Sequence, residues 1–252
     1  MNTCPVILQI ALLSAIGAVI LSAMGRHPGL TGKLLFLASV CVTFHILRRV
    51  VFHWPYTPLY MGSEQVAALA GLGYSAHALS TKSPVRASAF FVSVSICLLI
   101  LAVLFFPKDY YLPNPRADIA WAHAFLWSDA LARAIFIIAG GKALDLHFQN
   151  PNSRAGHLHT PSISIGIAVM ALSMSFGIGW SAGTLGVPVT FHDHQEMLGF
   201  ILIWFYWMFV VHLATTKTRP LYLTVSKIVG SLLVLTVTIY QNLGIWRLPC
   251  LN

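Results

Sequence analysis

Apolar runs of roughly 20 residues recur along the whole chain, separated by short polar connections, which is the spacing of helices that cross a bilayer. Eight segments meet the length criterion, at about 5–24, 33–52, 60–80, 86–106, 118–140, 163–183, 195–215 and 221–241. Backbone N–H and C=O groups in lipid need partners within their own segment, so this pattern predicts helices and no strands. The third and sixth segments, rich in Gly and Ser, carry the weakest signal. The longest connection, about 141–162, is too short to build a soluble core. The expectation is an all-α polytopic membrane protein: one integral membrane domain over 1–252 with about eight transmembrane helices.

Composition agrees with the pattern. The chain is 57% hydrophobic and 9% charged with a mean hydropathy of +0.77, where a soluble domain carries about 25% charged residues. Basic residues set the expected orientation. With the N-terminus outside, Arg26, Lys33, Lys82, Arg86, Lys142, Arg154, Lys217 and Arg219 lie inside, against Arg48, Arg49, Lys108, Arg116 and Arg247 outside, eight against five. Both termini are then outside, and the 184–194 connection, which has no basic residue, falls on the periplasmic side of a bacterial-type inner membrane. The first segment has no Lys or Arg ahead of it and reads as a retained span rather than a cleaved signal. The net charge of +8 is mostly topology signal and attraction to anionic lipid, and nothing in its distribution points to nucleic acid.

Against this background the eleven histidines stand out, because ionisable groups inside spans are costly and default to functional candidates. His77 and His212 each lie 17 residues along their segments, counted from Tyr60 and Gln195, and so sit at similar depth near the inner face. Two such imidazoles on facing helices form a bis-histidine clamp for one haem iron. Towards the outer face lie His45, His53 and His123, with His192 and His194 in the outer connection. For His45, His77, His123 and His212 the structural alternative is an interhelical hydrogen bond. His27, His147, His157 and His159 fit solvated surface positions, and His53, after Arg48 and Arg49, fits an interfacial anchor. Asp129 and Arg133, four apart, suit a helical ion pair, or Arg133 meets a haem propionate. Cys41 and Cys97 read as small apolar packers, Cys4 and Cys250 share the outer side where a bridge is permitted, and no CxxC or CxxCH is present.

The 176–196 stretch interrupts the apolar pattern with glycine, aromatic and acidic residues, and a loop of this make-up can lie flat at the membrane surface with Trp180 and Phe191 as planar faces. In position and flanks it resembles the tryptophan-rich loop of the CcsA, CcmC and HemX haem-handling proteins, roughly WxNxxWGxYWxWDxxE. Trp180, Gly186, Asp193 and Glu196 fit, with one extra residue between Gly186 and Asp193, while Leu185, Val189 and Phe191 stand where the family has tryptophan. His53-Trp-Pro-Tyr-Thr-Pro-Leu-Tyr-Met-Gly-Ser-Glu64 is similar to the family's GHxPLSNxYE-like stretch, through Pro58, Leu59, Tyr60 and Glu64. Trp121-Ala-His123 resembles a WLxxHVxL helix start that carries an external haem-ligating histidine. Trp204-Phe-Tyr-Trp-Met-Phe-Val-Val-His212 is similar to the helix after the loop, and Tyr240-Gln-Asn242-Leu-Gly244 to an FTYxGVN ending. The resemblance covers about residues 45–246. After the last helix the family has a second external histidine in a GLHSY-like run, where this chain reads Gly244-Ile-Trp-Arg-Leu-Pro. The resemblance therefore implies a haem site at His123 under the external segment of about 180–196, whose partner ligand must be His45 or His194 or be absent.

Two functions follow from these residues. One is haem handling in cytochrome c assembly, with one or two b-type haems held or moved between His77/His212 and His123. It implies an assembly partner, and cytochrome c as recipient. The other is a dihaem electron-transfer subunit of a membrane respiratory complex, whose haems stay bound. A third, a metal or transport site at His192, Asp193 and His194, lacks a third ligand at motif spacing and an HExxH signature. No nucleophile, carboxylate pair or phosphate loop supports side-chain catalysis.

Overall fold

The structure, a computed structural model, describes residues 6–25, 28–53, 61–80, 86–108, 119–149, 161–185, 195–215 and 219–246. They form eight helices: α1 Val6–Met24, α2 Pro28–His53, α3 Gly62–Ser80, α4 Arg86–Phe105, α5 Ile119–Gln149, α6 Pro161–Leu185, α7 Gln195–Thr215 and α8 Pro220–Asn242. Among the described residues there is no strand, and six helices are long and apolar enough to cross a membrane: all but α3 and α7. This agrees with a polytopic all-α membrane protein. Three helices open on proline, Pro28, Pro161 and Pro220, where the missing N–H costs nothing and the fixed φ suits the first turn.

Two boundaries differ from the hydropathy reading. The fifth helix continues nine residues past 140, to Gln149. The Gly140–Gly141 pair lies inside the helix at a point of close approach: a Cβ on Gly140 would run into Ser231 Oγ of α8, and one on Gly141 would lie 3.2 Å from Ser88 of α4. His147, expected in a connection, thus sits in the last turn of α5. The sixth helix runs unbroken from Pro161 to Leu185, so Trp180 is helical rather than part of a surface loop. No proline interrupts that stretch, and Gly177 and Gly179 are covered by the rings of Phe125 and Trp121.

The helices close into two rings of four. In ring one α1 packs on α2, α2 on α3, α3 on α4 and α4 back on α1; in ring two α5, α6, α7 and α8 close in the same order. The rings meet along a seam where α3 and α4 pack against α5 and α8. Small residues let ring one close tightly: Ala15, Ala18, Ala38, Ala67 and Ala70 are wholly buried, and a Cβ on Gly71 would run into Ser39 Oγ. In membranes such close backbone approach replaces the hydrophobic drive that holds soluble bundles together. Ring two is filled across its middle by large rings, with Phe136 of α5 stacked on Trp207 of α7 at 4.5 Å.

Candidate functional site

We name the two ends of the bundle by the histidines near them. At the His123 end, the last turns of α2 and α8 meet the first turns of α3, α5 and α7. Arg49 of α2 donates to Glu64 Oε1 of α3 at 2.7 Å, and His45 Nε2 lies 3.8 Å from the same oxygen. Taking these groups out of water is costly, and mutual pairing is what makes their burial tolerable. A second group ties α5 to α8: Arg133 donates to Asp129 at 2.9 Å, to Thr238 at 3.1 Å and to Gln241 at 2.8 Å. The Gly62 N–H opening α3 donates to Asn242 at 3.1 Å, and Lys108 donates to the Gln241 carbonyl at 3.2 Å. The last turn of α8 is thereby stitched to α3, α5 and the end of α4.

These contacts sort the sequence candidates. His45 lies inside ring one beside Glu64. Arg133 forms the expected ion pair with Asp129, and its remaining bonds go to α8. His123 is different. On α5, Trp121 and Phe125 are four apart and face α6, where they meet Phe176 at 5.6 Å and Trp180 at 6.5 Å. His123, two residues from each, lies on the opposite side of the helix. That side also carries Ala130, Ala134 and Gly141, and Gly141 abuts Ser88 of α4, so His123 belongs to the seam. Its Nδ1 is buried and has no hydrogen-bond partner among the described residues.

Trp180 belongs to a separate aromatic box inside ring two. It lies nearly parallel to Phe125, which in turn meets Phe200 of α7 at 6.3 Å. The indole N–H groups of Trp180, Trp204 and Trp207 are all buried without an acceptor among the described residues. Such a set of orphaned donors is uncommon, because a buried polar group normally finds a partner.

His77 and His212 are not brought onto facing helices: α3 and α7 do not pack against each other, and α8 packs against both. His212 shares with Leu198, Leu202, Phe205 and Phe209 the outward stripe of α7, and its Nδ1 donates to the Met208 carbonyl at 2.7 Å. His77 lies at the other end of the seam from His123, in the field of Lys142 and Asp145 of α5. His123 and Asp145 are 22 residues apart on α5, about 33 Å at helical rise, close to the thickness of a bilayer's hydrocarbon core. The seam therefore carries one imidazole near each end.

His194 and the 186–194 segment lie outside the described residues, as do Cys4 and Cys250. Cys41 and Cys97 are half-buried free thiols on α2 and α4. Asp145 and Lys227, both buried within helices, went unnoticed in the sequence. The depth argument applied to histidines would have found Lys227, the seventh residue of the last apolar run. Among the described residues no group of three or more His, Cys, Asp or Glu side chains could hold a bare metal ion. A haem asks less, one or two axial imidazoles and apolar walls, and His123 with its unpartnered Nδ1 fits that demand better than His45. In comparison with known proteins, the chain matches no family model, and neither a curated protein nor a solved structure matches it.

Proposed function

We propose that this chain is a haem-binding membrane protein of the kind its motifs resemble, holding or moving b-type haem with an imidazole near each end of the α3–α4–α5 seam. The observation that carries the reading is the contrast among the cationic and imidazole groups at the His123 end of the bundle: Arg49, Arg133 and His45 face carboxylates, whereas His123 Nδ1 has no partner among the described residues. An imidazole kept in that state is suited to an axial ligand role. His77 supplies the corresponding group at the other end. Bound haem would bring the iron; the chain would supply axial nitrogen, apolar walls and exclusion of water.

In the assembly role the haem is transient and passes to a CxxCH apocytochrome held by a partner. In the electron-transfer role it stays. One observation favours the second: Trp180 is locked into α6 against Phe125 and does not form a surface platform. Pyridine haemochrome quantification on detergent-purified protein, followed by incubation with a CxxCH apocytochrome, separates the two. Near-stoichiometric haem that cycles reversibly and stays put supports electron transfer; substoichiometric haem that leaves for the apocytochrome supports assembly. A preparation that never binds haem overturns both.

A further inference from the structure

Among the described residues, unpartnered buried polar atoms are densest in the first turn of α3. Ser63, Glu64 and Gln65 are each at most 2% exposed, yet Ser63 Oγ, Glu64 Oε2 and both ends of the Gln65 amide have no hydrogen-bond partner among the described residues. Contacts of α3 fix how these side chains are arranged. Ser75, eleven residues on from Glu64 and so on the same side of the helix, donates to the Gly32 carbonyl of α2 at 3.0 Å, and Glu64 itself takes the Arg49 guanidinium of α2 on Oε1 at 2.7 Å. Gly62, three residues before Gln65, faces Asn242 of α8. Gln65 therefore stands between the α2 side and the α8 side, next to Glu64 and one turn from Met61, whose carbonyl accepts its N–H at 2.8 Å. Helical side chains lean towards the N-terminus, which brings the ends of Glu64 and Gln65 back over the opening of the helix, where Met61 is also wholly buried. Ser63, on the side where Tyr74 meets Ser88 of α4, stands apart from this pair.

The chemistry of the unpartnered atoms selects what can bind them. Glu64 Oε2 and Gln65 Oε1 only accept hydrogen bonds, and Gln65 Nε2 only donates. A metal cation would satisfy the oxygens but not the amide N–H, and would sit beside the Arg49 guanidinium; an anion would face the Glu64 carboxylate. A small neutral hydroxyl both donates and accepts, and water, which typically makes about three hydrogen bonds when buried, matches the three atoms. We propose that the opening of α3 holds a small sealed cluster of ordered water between Glu64 Oε2 and the Gln65 amide. Such water satisfies lone pairs without acting as bulk solvent, so it leaves the Arg49–Glu64 pair unscreened.

The alternative is a dry turn whose amide and carboxylate oxygen go unbonded, and two equally buried methionines separate the cases. Met61 lies at the proposed water site and Met170 lies in α6, and both are wholly buried. Microsecond X-ray radiolysis of the detergent-solubilised full-length protein generates hydroxyl radical from bound as well as bulk water, and mass spectrometry reads the methionine oxidation. The proposal expects Met61 to be labelled several-fold faster than Met170, and the excess to disappear in Gln65→Leu, which keeps side-chain bulk and removes both amide ends. Hydrogen peroxide, which has to diffuse in from outside, should spare both methionines. Met61 as protected as Met170 under radiolysis overturns the proposal, as does an excess that survives Gln65→Leu. Rapid oxidation of Met61 by peroxide overturns it too, because the turn is then open to bulk solvent. If Gln65→Leu does not fold, NMR of the wild-type protein decides: the Gln65 side-chain NH2 must show a cross-peak to water, and a spectrum without one overturns the proposal. None of these outcomes depends on haem.

Discussion

Rings one and two have the same helix order and opposite interiors. Ring one closes on alanine, glycine and serine, so its backbones touch even across the diagonal between α2 and α4. Ring two keeps the backbones of both diagonals, α5 with α7 and α6 with α8, apart, and Phe125, Phe136, Trp180, Phe200 and Trp207 fill the space between them. The buried polar groups do not follow that division. Each ring contains a paired cluster, Arg49, Glu64 and His45 in ring one and Asp129, Arg133, Thr238 and Gln241 in ring two, and each holds buried polar side chains without a hydrogen-bond partner among the described residues, Thr31, Ser63, Gln65 and Ser93 in ring one and the indoles of Trp180, Trp204 and Trp207 in ring two. The comparison teaches that the rings differ in what fills them, close backbones or aromatic side chains, and not in how completely their buried polar groups are paired.

The largest effect is expected at the charged cluster of ring one. Arg49→Ala leaves Glu64 buried beside His45 alone, and removing one partner of a buried pair costs about 3–5 kcal/mol. Unfolding in mixed micelles should show that loss, and adding Glu64→Gln should restore much of it; a neutral Arg49→Ala would show that the cluster is hydrated and ring one is not closed there. Next comes the ring-two stack. Trp207→Ala should cost about 3 kcal/mol, the lower part of the range for buried aromatic truncations, whereas Trp207→Phe should cost far less because the stack on Phe136 survives. Gly71→Ala tests the tightness of ring one: overpacking against Ser39 should cost about 1–3 kcal/mol and be relieved by Ser39→Ala. Without that rescue the helices α2 and α3 are not in the described contact. The smallest effect is expected at Trp180→Phe, about 1 kcal/mol in ligand-free protein, because the stack on Phe125 survives and the lost N–H has no partner among the described residues. If the spare donors serve a ligand, the same variant should retain less haem.

Helix number and most boundaries were legible in hydropathy alone, since spans in lipid must be both apolar and helical. Both differences fall at glycines. The glycines around Trp180 read as an interruption, whereas they, like Gly140 and Gly141 where the fifth segment was ended, are sites of close packing against Phe125, Trp121, Ser231 or Ser88. A glycine that breaks a helix and one that lets a neighbour approach look alike in sequence. The Asp129–Arg133 pair was visible because its spacing is local. The Arg49–Glu64 pair was not, because its partners are 15 residues apart on different helices. Histidine depth correctly put His77 and His123 at opposite ends, but depth carries no angle around a helix. It paired His77 with His212 although α3 and α7 do not pack together.

The central claim is that His123, and not His45, is the imidazole kept for a ligand at its end of the seam. Haem content of detergent-purified His123→Ala and His45→Gln, each normalised to wild type by pyridine haemochrome, tests it most directly. The account predicts that His123→Ala loses haem or loses its low-spin spectrum while His45→Gln, still able to hydrogen-bond near Glu64, keeps both. Wild-type haem that survives His123→Ala unchanged, or disappears only in His45→Gln, would contradict it.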